Sequence, residues 1–379
     1  MLLNSKYSSY SFQHLNRILS YMRKLQQNLL NWFQDNARNL PWRQSYSPYH
    51  IWISEIMLQQ TQMDRVVDYF TRWVKIFPDT ASITVSNEEK ILKLWEGLGY
   101  YSRARNIIRS ANIIIKQYNG ELPSDYNLLL GLPGIGKYTA GAIMSIAFKK
   151  DFAIVDANIE RVFARLFNLD KPVKDKETHA FIWEKAQKII PHGKARKHNQ
   201  ALMELGALVC IPKNPRCKIC PVKEFCLSHV RNIVDKRPVA DKPSQTVFIE
   251  MTTGILAHKG RVLIQKRKPN GVWPNLWEFP GGRLEPGETP EMALVREYDE
   301  ETELKIGNLK KITIVKHNYT IYRVTLHCYY CSLMDSRYEP VLHGAQEFRW
   351  VTPGELSDFA FPAGHRKLIE HLRINELLS

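Results

Sequence analysis

The sequence has no long apolar run, few cysteines and a shortage of acidic residues, and each lack excludes a class of protein. No stretch of its 379 residues approaches the ~18 apolar residues needed to cross a bilayer, and its start has no apolar core typical of a signal peptide. Six cysteines in such a chain are not expected to form a disulfide framework. The 53 basic residues exceed the 38 acidic ones, which gives a net charge of +15. We therefore expect a cytosolic protein of two or three domains whose partner is nucleic acid rather than a membrane.

A glycine-rich turn, Leu132–Gly141 with the letters L-P-G-I-G-K-Y-T-A-G, separates two predicted helices. Proline and glycine interrupt the first helix, and helical spacing resumes at Lys137. Two helices joined in this way form a hairpin whose backbone amides, uncovered at the glycines, suit a phosphate group. The candidate phosphate-binding residues are Leu132, Gly134, Gly136 and Lys137. A tight turn between two core helices explains the glycine spacing equally well.

A helix that is apolar on nearly every side carries one carboxyl, that of Glu55. Ser47 as N-cap and Pro48 in the first turn predict where the helix begins, and its pattern extends to Gln62. Burial among apolar neighbours is expected to raise the pKa of Glu55 into the range in which a general acid works near neutral pH. The alternative is a structural glutamate that pairs with a helix cap or an arginine.

A second carboxyl, that of Asp156, follows the apolar run 152–155 and lies where the N-cap of a helix over 159–167 is expected. The positive end of the helix dipole is expected to keep Asp156 ionised. The pair thus predicts a protonated Glu55 and an anionic Asp156, a separation that is typical of enzymes cleaving glycosidic bonds. Helix capping alone also explains Asp156, and the two roles are compatible.

Four of the six cysteines lie close together, with the spacing C-x6-C-x2-C-x5-C. They are Cys210, Cys217, Cys220 and Cys226. Thiols clustered in this way in a cytosolic chain indicate a metal centre. Zinc sites usually contain two C-x2–4-C pairs, whereas this sequence has one. The irregular gaps favour an iron–sulfur cluster, with zinc as the alternative.

The pattern changes to strands after a charged stretch that contains two prolines, first in 247–249 and then in 261–264. A later helix places Glu297, Glu300 and Glu301 at positions i, i+3 and i+4. Three carboxylates at this spacing face one way and could hold Mg²⁺. The alternative is an acidic surface stripe without a metal.

Three sets of motifs resemble the adenine DNA glycosylases of the MutY family, which belong to the helix-hairpin-helix endonuclease III superfamily. The hairpin L-P-G-I-G-x-Y-T-A precedes V-D at Asp156, the letters P-W-R precede S-E-I-M-L-Q-Q-T-Q around Glu55, and all the cysteine gaps match. Relatives that also cut the DNA strand carry a lysine nucleophile where this chain has Tyr138. The resemblance implies a monofunctional enzyme of base excision repair that removes adenine opposite 8-oxoguanine, and more weakly opposite G, in double-stranded DNA.

The resemblance also implies roles for individual residues. Glu55 would protonate adenine, and Asp156 would stabilise the cationic sugar with support from Tyr138 and Asn158. The implied DNA contacts are Arg43 near the lesion, Gln60 and Tyr100 as wedges in the base stack, and Gln200 against adenine. The four cysteines would hold a [4Fe–4S] cluster whose loop presents nearby cations to phosphates.

The C-terminal part resembles a Nudix domain, the fold that this family uses to recognise 8-oxoguanine. The residues that fit the Nudix box are Gly282, Glu288, Arg296, Glu297, Glu300 and Glu301. Glu303 replaces a glycine of the box and Tyr298 an aliphatic residue, which favours a domain without hydrolase activity. The recognition loop of the family has an aromatic residue, a hydroxyl residue and a histidine. Tyr319 and Thr320 match the first two, and Ile321 replaces the histidine.

The expected architecture is multidomain, with an all-α helix-hairpin-helix glycosylase domain that contains the iron–sulfur loop, followed by an α+β Nudix-like domain. The predicted boundaries are an N-terminal extension 1–20, a glycosylase domain 21–227 with the cysteine loop 210–226, a linker 228–245 and a Nudix-like domain 246–379. We expect a monomer in the cytoplasm, at the bacterial nucleoid. The alternatives are a glycosylase that is also a lyase through Lys137, a DNA-targeted Nudix pyrophosphohydrolase, and a DNA-binding module without catalysis.

Overall fold

The computed structural model of the chain describes residues 5–241, 245–319 and 321–374. These residues group by contact into two compact units. The first unit contains the chain up to Val85 and from Asn106 to residue 241, and the second contains Ser86–Arg105 and the described residues from 245 on. The second unit is therefore built from two separate parts of the chain. The segment 86–105 belongs to it, although the predicted glycosylase domain included that segment.

The first unit is helical throughout the part of it that the structure describes. In chain order, the α-helices in the described residues of both units are α1 Ser5–Asn36, α2 Trp42–Ser45, α3 Pro48–Leu58, α4 Met63–Ile76, α5 Thr80–Thr84, α6 Glu88–Trp95, α7 Ser102–Tyr118, α8 Tyr126–Leu130, α9 Lys137–Ala142, α10 Ala157–Leu166, α11 Lys176–Lys188, α12 Ala195–Leu208, α13 Leu227–Val230, α14 Pro290–Thr302 and α15 Ala363–Ile374. A π-helical turn, Ile143–Ala147, continues α9. The all-α character predicted for this part of the chain is confirmed.

Helix α3 lies in the core of the first unit, in contact with α2, α4, α9 and the π-helical turn. The hydroxyl oxygen of Ser47 accepts a hydrogen bond from the backbone N–H of His50 at 3.0 Å, and Pro48 is the first helical residue, as predicted. The helix ends at Leu58, before the predicted end at Gln62, because Gln60 has a left-handed φ of 56°.

The second unit contains a six-stranded sheet with the order β3-β2-β1-β5-β4, in which β6 also pairs with β2. The strands are β1 Val247–His258, β2 Arg261–Arg267, β3 Trp277–Glu278, β4 Ile306–Tyr319, β5 Tyr322–Leu333 and β6 Ala345–Val351. Strands β1 and β5 are parallel, with Ile255 opposite Tyr330, and the other described pairs are antiparallel. Side chains alternate along β1, so Ile255 packs in one apolar cluster with residues of α15, and Leu256 packs in another with residues of α14.

The predicted linker 228–245 is partly folded in the residues that the structure describes. A 3₁₀ turn covers Val234–Lys236. The carbonyl of Arg237 accepts a hydrogen bond from Arg165 Nε at 2.9 Å, and Asp241 pairs with Lys174 at 3.0 Å. These contacts hold the residues up to 241 in the first unit. None of the helices in the described ranges has the length and apolar character needed to span a membrane.

Candidate active site

Glu55 lies on α3 within the core and is 2% exposed. The hydroxyl of Tyr138, from α9, donates a hydrogen bond to Glu55 Oε2 at 2.6 Å. Burial raises the pKa of Glu55 to about 7, although the Tyr138 bond opposes the shift. Burial also raises the pKa of Tyr138 well above its usual range, so its hydroxyl stays a neutral donor. The predicted direction of the Glu55 shift is confirmed, and the carboxyl can hold a proton near neutral pH.

Asp156 is the N-cap of α10, as predicted. Its carboxylate accepts hydrogen bonds from the backbone N–H of Ile159 at 2.8 Å and from Asn158 Nδ2 at 3.0 Å. Burial nevertheless raises the pKa of Asp156, against these bonds and the charge of Arg161. The direction of this shift is opposite to the effect expected from the helix N-terminus, because the position of Asp156 in the chain did not reveal its partial burial. The anionic state of Asp156 stays a prediction.

A cavity of about 940 Å³ in the first unit brings several of the predicted residues together. Its lining includes Arg38, Arg43, Gln60, Tyr138, Asp156, Asn158, Met203 and Glu204. Glu55 is not part of the lining but is hydrogen-bonded to Tyr138, which is. The volume is within the range of small-molecule sites, and the lining combines cations, carboxylates and amides.

Glu204, on α12, is a residue of this cavity that the sequence analysis missed. Its side chain is fully buried and accepts a hydrogen bond from Arg38 Nε at 2.7 Å through Oε2. Its Oε1 lies 2.8 Å from Arg43 Nη1 but accepts no hydrogen bond of good geometry from the described residues. A single acid in the stretch A-L-M-E-L-G-A was the available signal, since a buried charge needs partners.

The two glutamines predicted to contact DNA differ in their surroundings. Gln60 is exposed at the cavity, in the turn that ends α3. Gln200 is 1% exposed, and its amide donates a hydrogen bond to the carbonyl of Arg196 in its own helix at 2.9 Å. The structure does not place Gln200 at the cavity, because this residue of α12 faces the core whereas Met203 and Glu204 line the cavity.

The predicted hairpin is present between α8 and α9, with Gly136 as the N-cap of α9. Gly134 has a φ of +79°, and a Cβ atom there would lie 2.7 Å from the Cβ of Asn106. Gly136 faces open space, since a Cβ atom there would have no neighbour within 4 Å. Leu132 is buried below the turn. Lys137 is outside the cavity lining, with its Nζ 3.9 Å from the ring centroid of Trp183.

The four cysteines line one small cavity in the first unit. None of them is in a disulfide. Among the described residues, no three His, Cys, Asp or Glu side chains are placed to ligate a single metal ion. Four thiolates around one zinc ion, each at ~2.3 Å, lie close together, whereas in a [4Fe–4S] cluster each thiolate binds a different iron. Four thiol donors around one small cavity fit a metal centre, and a [4Fe–4S] cluster there stays a prediction.

Helix α10 connects Asp156 with the cysteine loop. Arg161 donates hydrogen bonds to Asn158 Oδ1 at 2.8 Å and to the carbonyl of Cys210 at 2.7 Å. Arg165 is 2% exposed and donates to Cys210 Sγ at 3.3 Å and to the carbonyl of Ile211 at 2.8 Å. The helix that begins at Asp156 thus also holds the first cysteine of the loop.

Of the three glutamates predicted at the Nudix-like box, two share one arginine partner and the third pairs with a glutamine. Glu301 is largely buried and accepts a hydrogen bond from Gln265 Nε2 at 2.7 Å, and burial raises its pKa to about 7. Glu300 is 58% exposed and pairs with Arg296 at 3.0 Å. Glu297 lies 3.2 Å from the same guanidinium. The structure therefore does not arrange these carboxylates around a common ion within its described ranges.

The two departures from the Nudix box keep the local fold. Glu303 adopts the left-handed φ of 54° at the end of α14, and its carboxylate pairs with Arg337 at 3.2 Å and His343 at 2.8 Å. Tyr298 is fully buried and donates a hydrogen bond to the carbonyl of Gly254 at 2.8 Å. The helix end and the core position are thus filled without the usual glycine and aliphatic residue.

Two further predicted contacts belong to the second unit. Tyr100 follows α6 in a turn and has a left-handed φ of 47°. Tyr319 is the last residue of β4, and Thr320 lies outside the described residues. The contact of Tyr319 and Thr320 with 8-oxoguanine stays a prediction.

Two family models match the chain. The model described as HhH-GPD superfamily base excision DNA repair protein matches residues 53–188, and the NUDIX domain model matches residues 252–371. A solved structure of a thermostable thymine-DNA glycosylase is 30% identical with a TM-score of 0.53, covering 56% of this chain and 99% of its own. The predicted fold class, a helix-hairpin-helix domain followed by a Nudix-like domain, is confirmed.

Two relatives of the chain carry the same name. The adenine DNA glycosylase of Buchnera aphidicola subsp. Baizongia pistaciae (strain Bp) is 40% identical over 258 residues, which cover 67% of this chain and 72% of the relative. The adenine DNA glycosylase of Rattus norvegicus is 30% identical over 434 residues, covering 98% of this chain and 82% of the relative. The second match spans both units of the structure.

Proposed function

The chain belongs to the adenine DNA glycosylase family, and from this premise we propose that it removes adenine opposite 8-oxoguanine, and more slowly opposite G, from double-stranded DNA. It acts as a monofunctional glycosylase and as a monomer, by hydrolysis of the N-glycosidic bond. The observation that carries the proposal is the hydrogen bond between buried Glu55 and Tyr138 beside a cavity that Asp156 lines.

Glu55 is the general acid of the proposed mechanism. Its carboxyl, with a pKa of about 7, donates a proton to a ring nitrogen of adenine. The electron pair of the C1′–N9 bond moves to the base as the bond breaks, so adenine leaves as a neutral molecule. The sugar that remains is an oxocarbenium-like cation.

Asp156 stabilises that cation with its carboxylate, either as an ion or as a transient ester. Asn158 Nδ2 and the N–H of Ile159 orient the carboxylate through hydrogen bonds of 3.0 and 2.8 Å. Water then adds at C1′ and gives its proton to the Glu55 carboxylate, which restores the acid and leaves an abasic site.

Adenine recognition is assigned to the wall of the cavity that Glu204 and Arg43 form. Adenine carries an exocyclic amine that donates hydrogen bonds and ring nitrogens that accept them. The guanidinium of Arg43 is a donor at this wall, and Glu204 Oε1, 2.8 Å from Arg43 Nη1, holds it in place. The base reaches this wall only after leaving the duplex, with Gln60 and Tyr100 filling the stack and the hairpin amides of Gly134, Gly136 and their neighbours holding phosphates.

The lyase alternative requires an amine nucleophile, and none is among the residues that line the cavity. Tyr138 takes the position at which bifunctional relatives carry lysine, and no lysine is among the lining residues. Lys137 lies over Trp183 instead. Borohydride trapping on an abasic duplex is expected to give no covalent adduct, and an adduct lost on Lys137→Met would support the bifunctional alternative.

The four cysteines are proposed to hold a [4Fe–4S] cluster. When bound, the cluster supplies a rigid crosslink for the loop rather than chemistry at the sugar. The cations of this loop are Lys213, Arg216, Lys218 and Lys223, and they would contact phosphates. Tyr319 and Thr320 are proposed to contact 8-oxoguanine on the opposite strand.

Single-turnover excision on three duplexes that differ only opposite the adenine tests the proposal. We expect fast excision opposite 8-oxoguanine, slower excision opposite G and none opposite T. Equal rates on all three duplexes would support the proposed excision chemistry but contradict the proposed preference for 8-oxoguanine. No excision on any duplex would overturn the proposal. Glu297→Gln, in the Nudix-like box, is the matched control and is expected to excise like the wild type.

A further inference from the structure

The turn that carries Tyr100 is attached to C-terminal residues of the second unit. We call Gly97–Tyr100 the Tyr100 turn. Gly97, Gly99 and Tyr100 have φ values of 97°, 71° and 47°, so three of its four residues are left-handed. Such a backbone is strained at Tyr100 and persists only where its surroundings hold it. The contacts of the flanking residues show what holds it.

Glu96, immediately before the Tyr100 turn, is fixed by the C-terminal part of the chain. Its Oε1 accepts hydrogen bonds from Arg366 Nε and from the backbone N–H of Phe361, both at 2.8 Å. Its Oε2 accepts one from Lys93 at 2.6 Å. The side chains of Glu96 and Arg366 are 11% and 16% exposed, so solvent screens their attraction only weakly.

Tyr101, immediately after the Tyr100 turn, reaches the same C-terminal loop. Its ring is buried, and its hydroxyl donates a hydrogen bond to the carbonyl of Phe361 at 3.1 Å. The backbone of Phe361 thus binds residues on both sides of the turn, Glu96 through its N–H and Tyr101 through its carbonyl. Both ends of the turn are therefore fixed to one short stretch of C-terminal backbone.

Arg103 supports the turn from within the segment 86–105. Its Nη2 donates to the carbonyls of Leu98 at 2.9 Å and Gly99 at 3.1 Å. Its guanidinium carbon lies 5.6 Å from the ring centroid of Tyr100. Tyr100 itself is only partly buried, and an aromatic side chain beside a cation suits stacking on bases.

We infer that Glu96 and Arg366 are positioning residues that orient Tyr100 for insertion into the DNA base stack, so the C-terminal unit has a mechanical role separate from lesion contact. This inference rests on the proposed function. The Glu96–Arg366 pair acts on excision through Tyr100, since neither residue is among those that line the cavity assigned to adenine. A misplaced Tyr100 leaves the target nucleotide stacked, and small errors of position cost up to about 100-fold in rate.

A double-mutant cycle in the full-length protein tests the inference. The variants are Arg366→Met, Tyr100→Ala and the two combined, each measured for single-turnover excision opposite 8-oxoguanine. Arg366→Met and Tyr100→Ala are each expected to slow excision by about 10- to 100-fold. The double variant is expected to be no slower than Tyr100→Ala by more than about twofold, because the second change acts through a side chain that is gone.

Three controls separate positioning from general damage. Arg366→Lys keeps a cation beside Glu96 and is expected to recover most of the rate. Arg337→Met removes a half-exposed arginine of the same unit that pairs with Glu303, and its rate is expected to match the wild type. If Arg366→Met lowers the folded fraction, the cycle with Tyr100→Ala is measured with Glu96→Gln instead, which removes the other charge of the pair.

Fluorescence of 2-aminopurine beside the target base reports stacking directly. Arg366→Met and Tyr100→Ala are both expected to lose the 2-aminopurine fluorescence change that the wild-type protein produces. Multiplicative rate losses in the cycle, or an unchanged 2-aminopurine signal in Arg366→Met, would overturn the inference while the proposed function stands. If the wild-type protein excises no adenine, both the inference and the proposed function are overturned.

Discussion

The chemistry of Glu55 depends on where the fold buries it. Replacement by glutamine removes the acidic proton but keeps an acceptor for the Tyr138 hydroxyl. We expect Glu55→Gln to bind the mispaired duplex normally and to slow excision by about 10²–10⁴-fold. Single-turnover kinetics and a gel-shift titration measure the two effects, and near-normal turnover would remove Glu55 from its assigned role.

The same substitution has a stability signature. The pKa of Glu55 is about 7 in the folded protein against an ordinary value of 4.5, so between these values the folded state binds more protons than the unfolded state. Folding stability is therefore lost as pH rises through this window. Glutamine does not titrate, so Glu55→Gln does not lose this stability. The variant should be more stable than the wild type by roughly 3 kcal/mol at about pH 8, with little difference at about pH 4. Denaturant titrations at the two pH values test this expectation.

Tyr138 tunes the acid. Its hydrogen bond lowers the pKa of Glu55, so Tyr138→Phe is expected to raise that pKa further. Because excision requires protonated Glu55, the rate falls as pH rises through the pKa, and this limb should move to higher pH in the variant. Tyr49→Phe is the matched control. Tyr49 lies on α3, the helix that carries Glu55, and its hydroxyl donates a hydrogen bond to the carbonyl of Phe77 at 2.6 Å. If the pH at which the excision rate falls is unchanged in Tyr138→Phe, a group other than Glu55 controls the pH dependence.

Residue identity predicted part of this site and missed the rest for a physical reason. Glu55 and Asp156 were found because a carboxyl in an apolar helix and one at an N-cap follow local rules. The upward pKa shift of Asp156, the arginine partners of Glu204 and the burial of Gln200 arise from packing between helices that are distant in sequence. Side-chain depth of this kind is not encoded in the spacing of a single helix.

At the scale of elements, the two hairpin glycines carry different constraints. Gly134→Ala places a Cβ 2.7 Å from Asn106 at a φ of +79° and should destabilise the protein by roughly 1–3 kcal/mol. Gly136→Ala introduces a Cβ into open space and should change stability by less than about 0.5 kcal/mol. Thermal unfolding of both variants tests the contrast, and equal losses would contradict it.

Element types were predictable where the signals are local. The N-caps Ser47 and Asp156 and the glycine turn before α9 all lie where the sequence predicts them. The early end of α3 was not predictable, because Gln60 adopts a left-handed conformation that its residue type does not favour. Residues 234–236 formed a turn rather than an open linker because distant partners bind their neighbours.

The whole molecule carries a net charge of +15, which should dominate its affinity for DNA. Each phosphate that a lysine or arginine neutralises releases a counterion, so affinity should fall by about 10³-fold or more between about 50 and 200 mM salt if roughly six phosphates are contacted. The single-turnover rate of the saturated complex should change little, since Glu55 is shielded from solvent. Binding isotherms across the salt series test this, and a flat dependence would contradict a phosphate-based interface.

The grouping of 86–105 with the C-terminal unit has no signal in the sequence. It depends on pairs such as Glu96 with Arg366 and Lys266 with Glu89, at 2.8 and 2.6 Å, whose members lie far apart in the chain. Composition and periodicity describe neighbours along the chain, so they predicted one continuous glycosylase domain.

This discontinuous unit has a consequence for how the protein is made. Residues 86–105 leave the ribosome long before residues 245–374, which supply Phe361 and Arg366 as their partners. During that interval Leu92 and Trp95, both fully buried in the finished protein, lack part of their surroundings. The nascent chain must keep this segment from forming non-native contacts until its partners have been made. Residues 86–105 therefore reach their final surroundings only after α15 has been synthesised.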